Sequence, residues 1–94
     1  MNIGRSIKEF RLKKNISQGE FARKCGISQT SISQIENGIT KPSSGNIKKI
    51  CKVLNIPETI LYIKGMDESD IDDNKKETFR ELFPIIEVMI NRFV

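Results

Sequence analysis

Gln18-Gly19-Glu20-Phe21-Ala22-Arg23-Lys24-Cys25-Gly26-Ile27-Ser28-Gln29-Thr30-Ser31-Ile32-Ser33-Gln34-Ile35-Glu36-Asn37-Gly38 is the stretch that decides the fold. It reads as two short helices joined by a tight turn. Ser17 and Glu20 stand at the spacing of a capping box just before the apolar pair Phe21-Ala22. Gly26 ends that helix, because glycine enters the left-handed region without a Cβ penalty. Ser28 caps the next helix, which carries Ile32 and Ile35 as an inward i, i+3 pair and stops before Gly38. Ala22 lies four residues before the turn glycine, where a larger side chain would hold two steeply crossed helices apart. This is a helix-turn-helix pattern.

Outward from this pair, the remaining segments are also helical. Asn2 caps a first helix carrying Ile3, Ile7 and Phe10. Ile39-Thr40-Lys41-Pro42 is a loop. Ser43 or Ser44 caps a fourth helix with Ile47, Ile50, Cys51 and Leu54, and Pro57, at a first-turn position, opens a fifth that carries Ile60 and Leu61. Nothing alternates with period two, so the fold class is all-α.

Residues 65–74 are acidic and poor in apolar side chains, as in a linker. From 75 to 94 a helical period returns, with Phe79, Leu82, Phe83, Ile86, Met89, Ile90 and Phe93 on one stripe. Pro84 interrupts it, and is expected to kink the helix or to start a new one. The chain thus divides into a domain at 1–64, a linker at 65–74 and a C-terminal helical segment at 75–94.

Composition narrows the function. The 94 residues contain no His, so Ser-His-Asp and Cys-His catalysis and His-ligated metal are excluded. Two cysteines, Cys25 and Cys51, cannot alone complete a four-ligand zinc site. Both lie in apolar helical settings and read as small core residues. A chain this short buries only about 60–65% of its unfolded surface, so a deep substrate cavity would compete with the core. No enzyme, cofactor or metal is expected. No apolar run reaches the length of a membrane span, and a cytoplasmic protein is expected.

The net charge of +4 hides a division. Residues 1–64 hold 12 basic and 4 acidic side chains, a balance of +8; residues 65–94 hold 4 basic and 8 acidic, a balance of −4. Surface Lys and Arg also serve solubility, but a block of +8 is suited to phosphates and the acidic block is not.

Residues 3–63 resemble the Cro/C1 (XRE) family of bacterial and phage DNA-binding domains. The resemblance rests on Ile7-Lys8-Glu9-Phe10-Arg11, on Ser17 to Ala22, on Gly26 to Gly38 and on Pro57 to Leu61. It implies a five-helix bundle whose third helix enters the DNA major groove.

With Ile32 and Ile35 turned inward at about 100° per residue, Thr30, Gln34 and Asn37 point outward and Ser33 lies beside them. Gln29 is in the first turn, from which recognition helices reach base edges. Gln29, Thr30, Ser33 and Gln34 are the candidate base readers; a glutamine pairs with adenine through two hydrogen bonds. Phosphate contacts are expected to flank the readout: Gln18 stands at a helix N-terminus that favours an anion, the resemblance implies contacts from its side chain and from Asn37, Thr40 and Lys41, and Ser43 and Ser44 at the start of the fourth helix are further candidates. The resemblance also implies a buried ion pair between Arg11 and Glu36.

Seven large apolar side chains on the C-terminal stripe require cover, from a second copy or from the chain's own bundle. Phe79, Leu82, Phe83, Ile86, Met89, Ile90 and Phe93 are therefore the candidate dimer interface, and removal of the segment after about Lys64 is expected to give monomers. The expected function is a transcriptional regulator, a repressor in sense, reading a palindromic operator in double-stranded DNA as a homodimer. An antitoxin-type module, whose last helix binds another protein, is the alternative. No small-molecule ligand is implied.

Overall fold

The computed structural model describes residues 1–93. Val94, the last residue of the expected C-terminal segment, lies outside the described residues. Six α-helices follow one another: α1 (Ile3–Lys13), α2 (Gln18–Cys25), α3 (Gln29–Glu36), α4 (Ser44–Leu54), α5 (Glu58–Gly65) and α6 (Lys76–Ile90). Short 3-10 turns occupy Glu68–Asp70, Asp73–Lys75 and Asn91–Phe93. The described residues contain no strand.

The helix starts follow the local chemistry. The side chains of Asn2, Ser17, Ser28 and Ser43 accept from the backbone N–H of Arg5, Glu20, Ser31 and Asn46. Each satisfies one donor that a helix leaves free. Of the two candidates for the α4 cap, Ser43 takes the role and Ser44 is the first helical residue. The reciprocal half of the capping box at α2 is absent, because the Glu20 carboxylate is drawn to Lys24, 3.1 Å away one turn on. Pro57 stands just before α5, as its N-cap residue, rather than within its first turn.

Burial of one face from each helix builds the core. Ile7 and Phe10 of α1, Phe21 of α2, Ile32 of α3, Ile50 and Leu54 of α4 and Leu61 of α5 are all fully excluded from solvent. Ser6 is equally buried, and its hydroxyl donates to the Leu61 carbonyl at 2.7 Å, joining α1 to α5. Gly4 permits the closest helix approach: a Cβ there would lie 2.1 Å from the Ile35 carbonyl oxygen. The first helix therefore crosses the end of α3 with no room for a side chain between them.

The acidic stretch is ordered against this bundle. Glu68 receives the Arg80 guanidinium at 2.6 Å, and Asp67 and Asp70 flank the Met1 ammonium at 3.0 and 2.9 Å. It returns the chain across the N-terminal end of α1 before α6 begins. Pro84 lies inside α6 and starts no new helix. Pro84 is exposed, and lacking an N–H it removes one helical hydrogen bond on the solvent side.

Candidate nucleic-acid interface

Gly26 adopts φ +67°, and its N–H and that of Ile27 return to the carbonyls of Arg23 and Ala22 at 3.2 and 3.0 Å. This closes α2 and turns the chain directly into the Ser28 cap of α3. Ala22 and Cys25 on one side and Ile32 and Ile35 on the other are buried between the helices. With that face inward, Gln29, Thr30 and Gln34 are exposed together, while Ser33 is half-buried. The four expected base readers thus lie on the solvent side of one rigid helix, with Ser33 recessed at its edge. The Asn37 amide donates to the Ser33 hydroxyl at 3.4 Å, one turn away.

The expected phosphate contacts divide into two groups. Asn37, Thr40, Lys41 and Ser44 are exposed around the end of α3 and the start of α4. Gln18 and Ser43 are engaged by the protein itself: the Gln18 amide donates to Glu36 Oε1 at 3.3 Å, and the Ser43 hydroxyl accepts from the Asn46 N–H at 3.1 Å. The sequence reading missed this inward use of Gln18. Its signal was the Glu36 carboxylate, whose lone pairs exceed what one arginine occupies.

Arg11 and Glu36 meet in a two-pronged pair, with Nε to Oε2 at 2.7 Å and the second terminal nitrogen to Oε1 at 3.0 Å. Both side chains are buried, at 7% and 1% exposure. The remaining guanidinium nitrogen donates to the Ile16 carbonyl at 2.7 Å, so each nitrogen of the group has a protein acceptor. Glu36 is the last residue of α3. The pair therefore ties the end of that helix to α1.

A second charge cluster was not foreseen. Lys64 belongs to the basic head by count, yet its side chain is 8% exposed and its ammonium lies 2.8 Å from Glu87 of α6 and 3.5 Å from Glu9 of α1. The signal was available on both helices. Lys64 shares the inward face of α5 with Leu61, three residues before it, and Glu87 continues the row Phe79–Phe83 on α6. Two of the head's cations, Arg11 and Lys64, are thus internal. Lys41, Lys48, Lys49, Lys52 and Arg23 remain exposed.

The apolar stripe of α6 is divided between two directions. Ile90 is 3% exposed and joins the core of the bundle, while Phe79 and Phe83 are half-buried and stack at 4.7 Å between ring centres. Leu82, Ile86, Met89 and Phe93 face solvent, together with Ile85 and Val88, which the stripe did not include. The expectation that all seven side chains serve a dimer interface is corrected at Ile90, which its own bundle covers. On the same side of α6, Glu87 pairs with Lys64 of α5.

Several carboxylates and thiols depart from their ordinary ionisation. The Ser69 hydroxyl, then the Met1 ammonium, hold the Asp67 carboxyl down at about 2. Arg80 lowers Glu68 in the same direction. Burial pushes both cysteine thiols up to about 11, so they stay protonated and behave as small apolar groups. Among the described residues no helix is long and apolar enough to cross a membrane, and no cluster of three His, Cys, Asp or Glu is placed to hold a metal ion.

A capped helix packed against its neighbour across a tight turn, with a polar face turned outward and cations beside it, is the architecture of a helix-turn-helix domain. The family model described as Helix-turn-helix matches residues 7–61, and the chain belongs to this family, in its Cro/C1 (XRE) type. Over 54 residues it is 43% identical to the antitoxin PezA of Streptococcus pneumoniae serotype 4, covering 57% of this chain and 34% of that protein. It is 40% identical over 61 residues to the control protein C.BamHI of Bacillus amyloliquefaciens, covering 63% and 75% respectively. Over 70 residues it is 36% identical to the HTH-type transcriptional regulator SinR of Bacillus subtilis strain 168, covering 72% and 63%. The chain spans about a third of the antitoxin's length.

Proposed function

We propose that the chain represses transcription by binding a palindromic operator as a homodimer, with Gln29, Thr30, Ser33 and Gln34 of α3 reading bases in the major groove. The observation that carries this reading is the shared exposure of Gln29, Thr30 and Gln34 on one face of α3, whose other face is locked by Ile32, Ile35 and the Arg11–Glu36 pair. Asn37, Thr40, Lys41 and Ser44, with the N-terminal ends of α2 and α4, grip phosphates on either side. Gln18 and Ser43 contribute through these helix ends, or by exchanging their internal partners for phosphate oxygens. Repression is the proposed sense because a helical head seated in the groove excludes other proteins from the same bases.

Pairing of subunits is assigned to the outer face of α6, through Leu82, Ile86, Met89 and Phe93, with Phe79 and Phe83 at its margin. One recognition helix spans too few base pairs for strong selection, and a two-fold pair reads two half-sites about 34 Å apart or a multiple of that. Selection from randomised duplex DNA tests the reading directly. A bound site with two inverted half-sites supports it; a single asymmetric site or none refutes it. Placing the selected site before a reporter gene gives the sense of regulation. Sedimentation of Leu82→Lys and Met89→Lys tests the interface better than truncation after Lys64, because truncation also removes Ile90 from the core. Monomers are expected from the substitutions, and dimers of unchanged strength would exclude this face.

The antitoxin-type reading has its own support: identity to PezA within the head, and an exposed apolar helix face suited equally to another protein. In that case α6 variants lose a co-purifying partner while the free chain sediments as a monomer.

A further inference from the structure

Gly19 is the second residue of α2, on the side of that helix that meets the start of α3. Its neighbours in the first turn leave it bare. The Gln18 amide is turned inward to Glu36, and the Glu20 carboxylate is drawn along the helix to Lys24. The side chain of Gln29 lies across the gap. A Cβ at position 19 would stand 3.3 Å from Gln29 Oε1, 3.7 Å from its Cδ and 3.9 Å from its Nε2. The oxygen, carbon and nitrogen of the Gln29 amide thus all lie within 4 Å of the place where a side chain at position 19 would begin. Gln29 is itself the first residue of α3, and the Ser28 cap holds its backbone in place.

We propose that Gly19 is a specificity-determining residue: its missing side chain forms the shelf on which the Gln29 amide is oriented for base reading. The proposal rests on the assignment of Gln29 as a base reader. A long, exposed glutamine otherwise samples many rotamers, and fixing one before binding removes part of the ordering cost. A methyl group at 19 is tolerated by the fold, since the only atoms it crowds are the far end of a flexible side chain. It is also favoured by helix propensity. Its effect falls on where the amide points, and Gly19 acts on the base only through Gln29.

The experiment compares the parent chain with Gly19→Ala, Gln29→Ala and the double variant. Each is taken through selection from randomised duplex DNA, titration of the selected duplex and its single-base variants, and thermal melting. Gly19→Ala is expected to melt no lower than the parent. It should reduce, by about tenfold, discrimination at the one base position that Gln29→Ala relaxes, with other positions unchanged. The double variant should be no worse than Gln29→Ala alone, because the shelf has nothing left to orient. Parent-like discrimination in Gly19→Ala, or additive losses in the double variant, would overturn the proposal. So would an equal loss on every duplex, which marks simple crowding of a phosphate. If Gln29→Ala itself leaves the selected site unchanged, Gln29 is not a base reader, and both the assignment and the proposal fall.

Discussion

Lys64 at the end of α5 and Glu87 in the last turn of α6 meet at 2.8 Å, with the lysine side chain almost wholly out of water. This contact joins the basic head to the acidic tail. It lies on the inward side of α6, with Ile90, while Leu82, Ile85, Ile86, Val88 and Met89 are outside. Glu87→Ala removes the nearer partner of a buried cation while Glu9 remains 3.5 Å away. The expected cost is therefore below the roughly 3–5 kcal/mol of a fully orphaned buried charge, at about 1–3 kcal/mol. Thermal melting should show a clear fall, and an unchanged midpoint would mean that water solvates Lys64.

Glu36→Ala strands the Arg11 guanidinium in the interior and frees the Gln18 amide. A loss of about 3–5 kcal/mol is expected in urea unfolding. Arg11→Met combined with Glu36→Leu should recover part of it, because a well-packed apolar pair needs no desolvation of charge. A double variant less stable than Glu36→Ala would contradict this account.

Gly4→Ala directs a methyl group at the Ile35 carbonyl oxygen, 2.1 Å from the ideal Cβ position. Backbone cannot swing aside as a side chain does, so α1 and α3 must separate. Overpacking of this kind costs about 1–3 kcal/mol or more. The same shift tilts α3, so DNA affinity should fall together with stability, whereas Gly19→Ala leaves stability intact. Chemical denaturation and DNA titration on the two variants make the comparison.

The acidic segment carries a pH signature. Asp67 ionises at about 2, and Glu68 and Asp70 also lie below their ordinary values, through Arg80 and the Met1 ammonium respectively. Carboxyls depressed in the folded state stabilise it above their unfolded values, near 4, and lose that contribution as pH falls toward about 2. The melting midpoint should therefore drop between about pH 4 and pH 2, and be insensitive to these groups near neutrality. Asp67→Asn is expected to flatten the acid slope; an identical slope would place the titrating groups elsewhere.

Lys41→Ala should weaken binding to all duplexes about equally and reduce the slope of log affinity against log salt by roughly one. Gln34→Ala, by contrast, should relax preference at a particular base by about 1–3 kcal/mol. A base-selective effect of Lys41→Ala would move it from phosphate contact to base reading.

Near neighbours in the chain made much of this legible from sequence. A serine accepting from the N–H three residues on, a glycine entering the left-handed region at Gly26, and Ile32 and Ile35 one turn apart are local facts, governed by dihedrals and a period of 3.6. They determined four of the helix starts, the turn and the outward face of α3. Contacts between distant segments were not local and were decided by the tertiary structure. A glycine at position 4 looks like a weak point in a helix until Ile35 is brought over it. Gln18 looks free until Glu36 arrives with a lone pair to spare on the oxygen it shares with Arg11. A lysine and a glutamate 23 residues apart look like surface charge until burial leaves each the other's main substitute for water. Periodicity marked α6 as apolar on one side, but only packing against α5 could divide that side between the bundle's own core and the solvent.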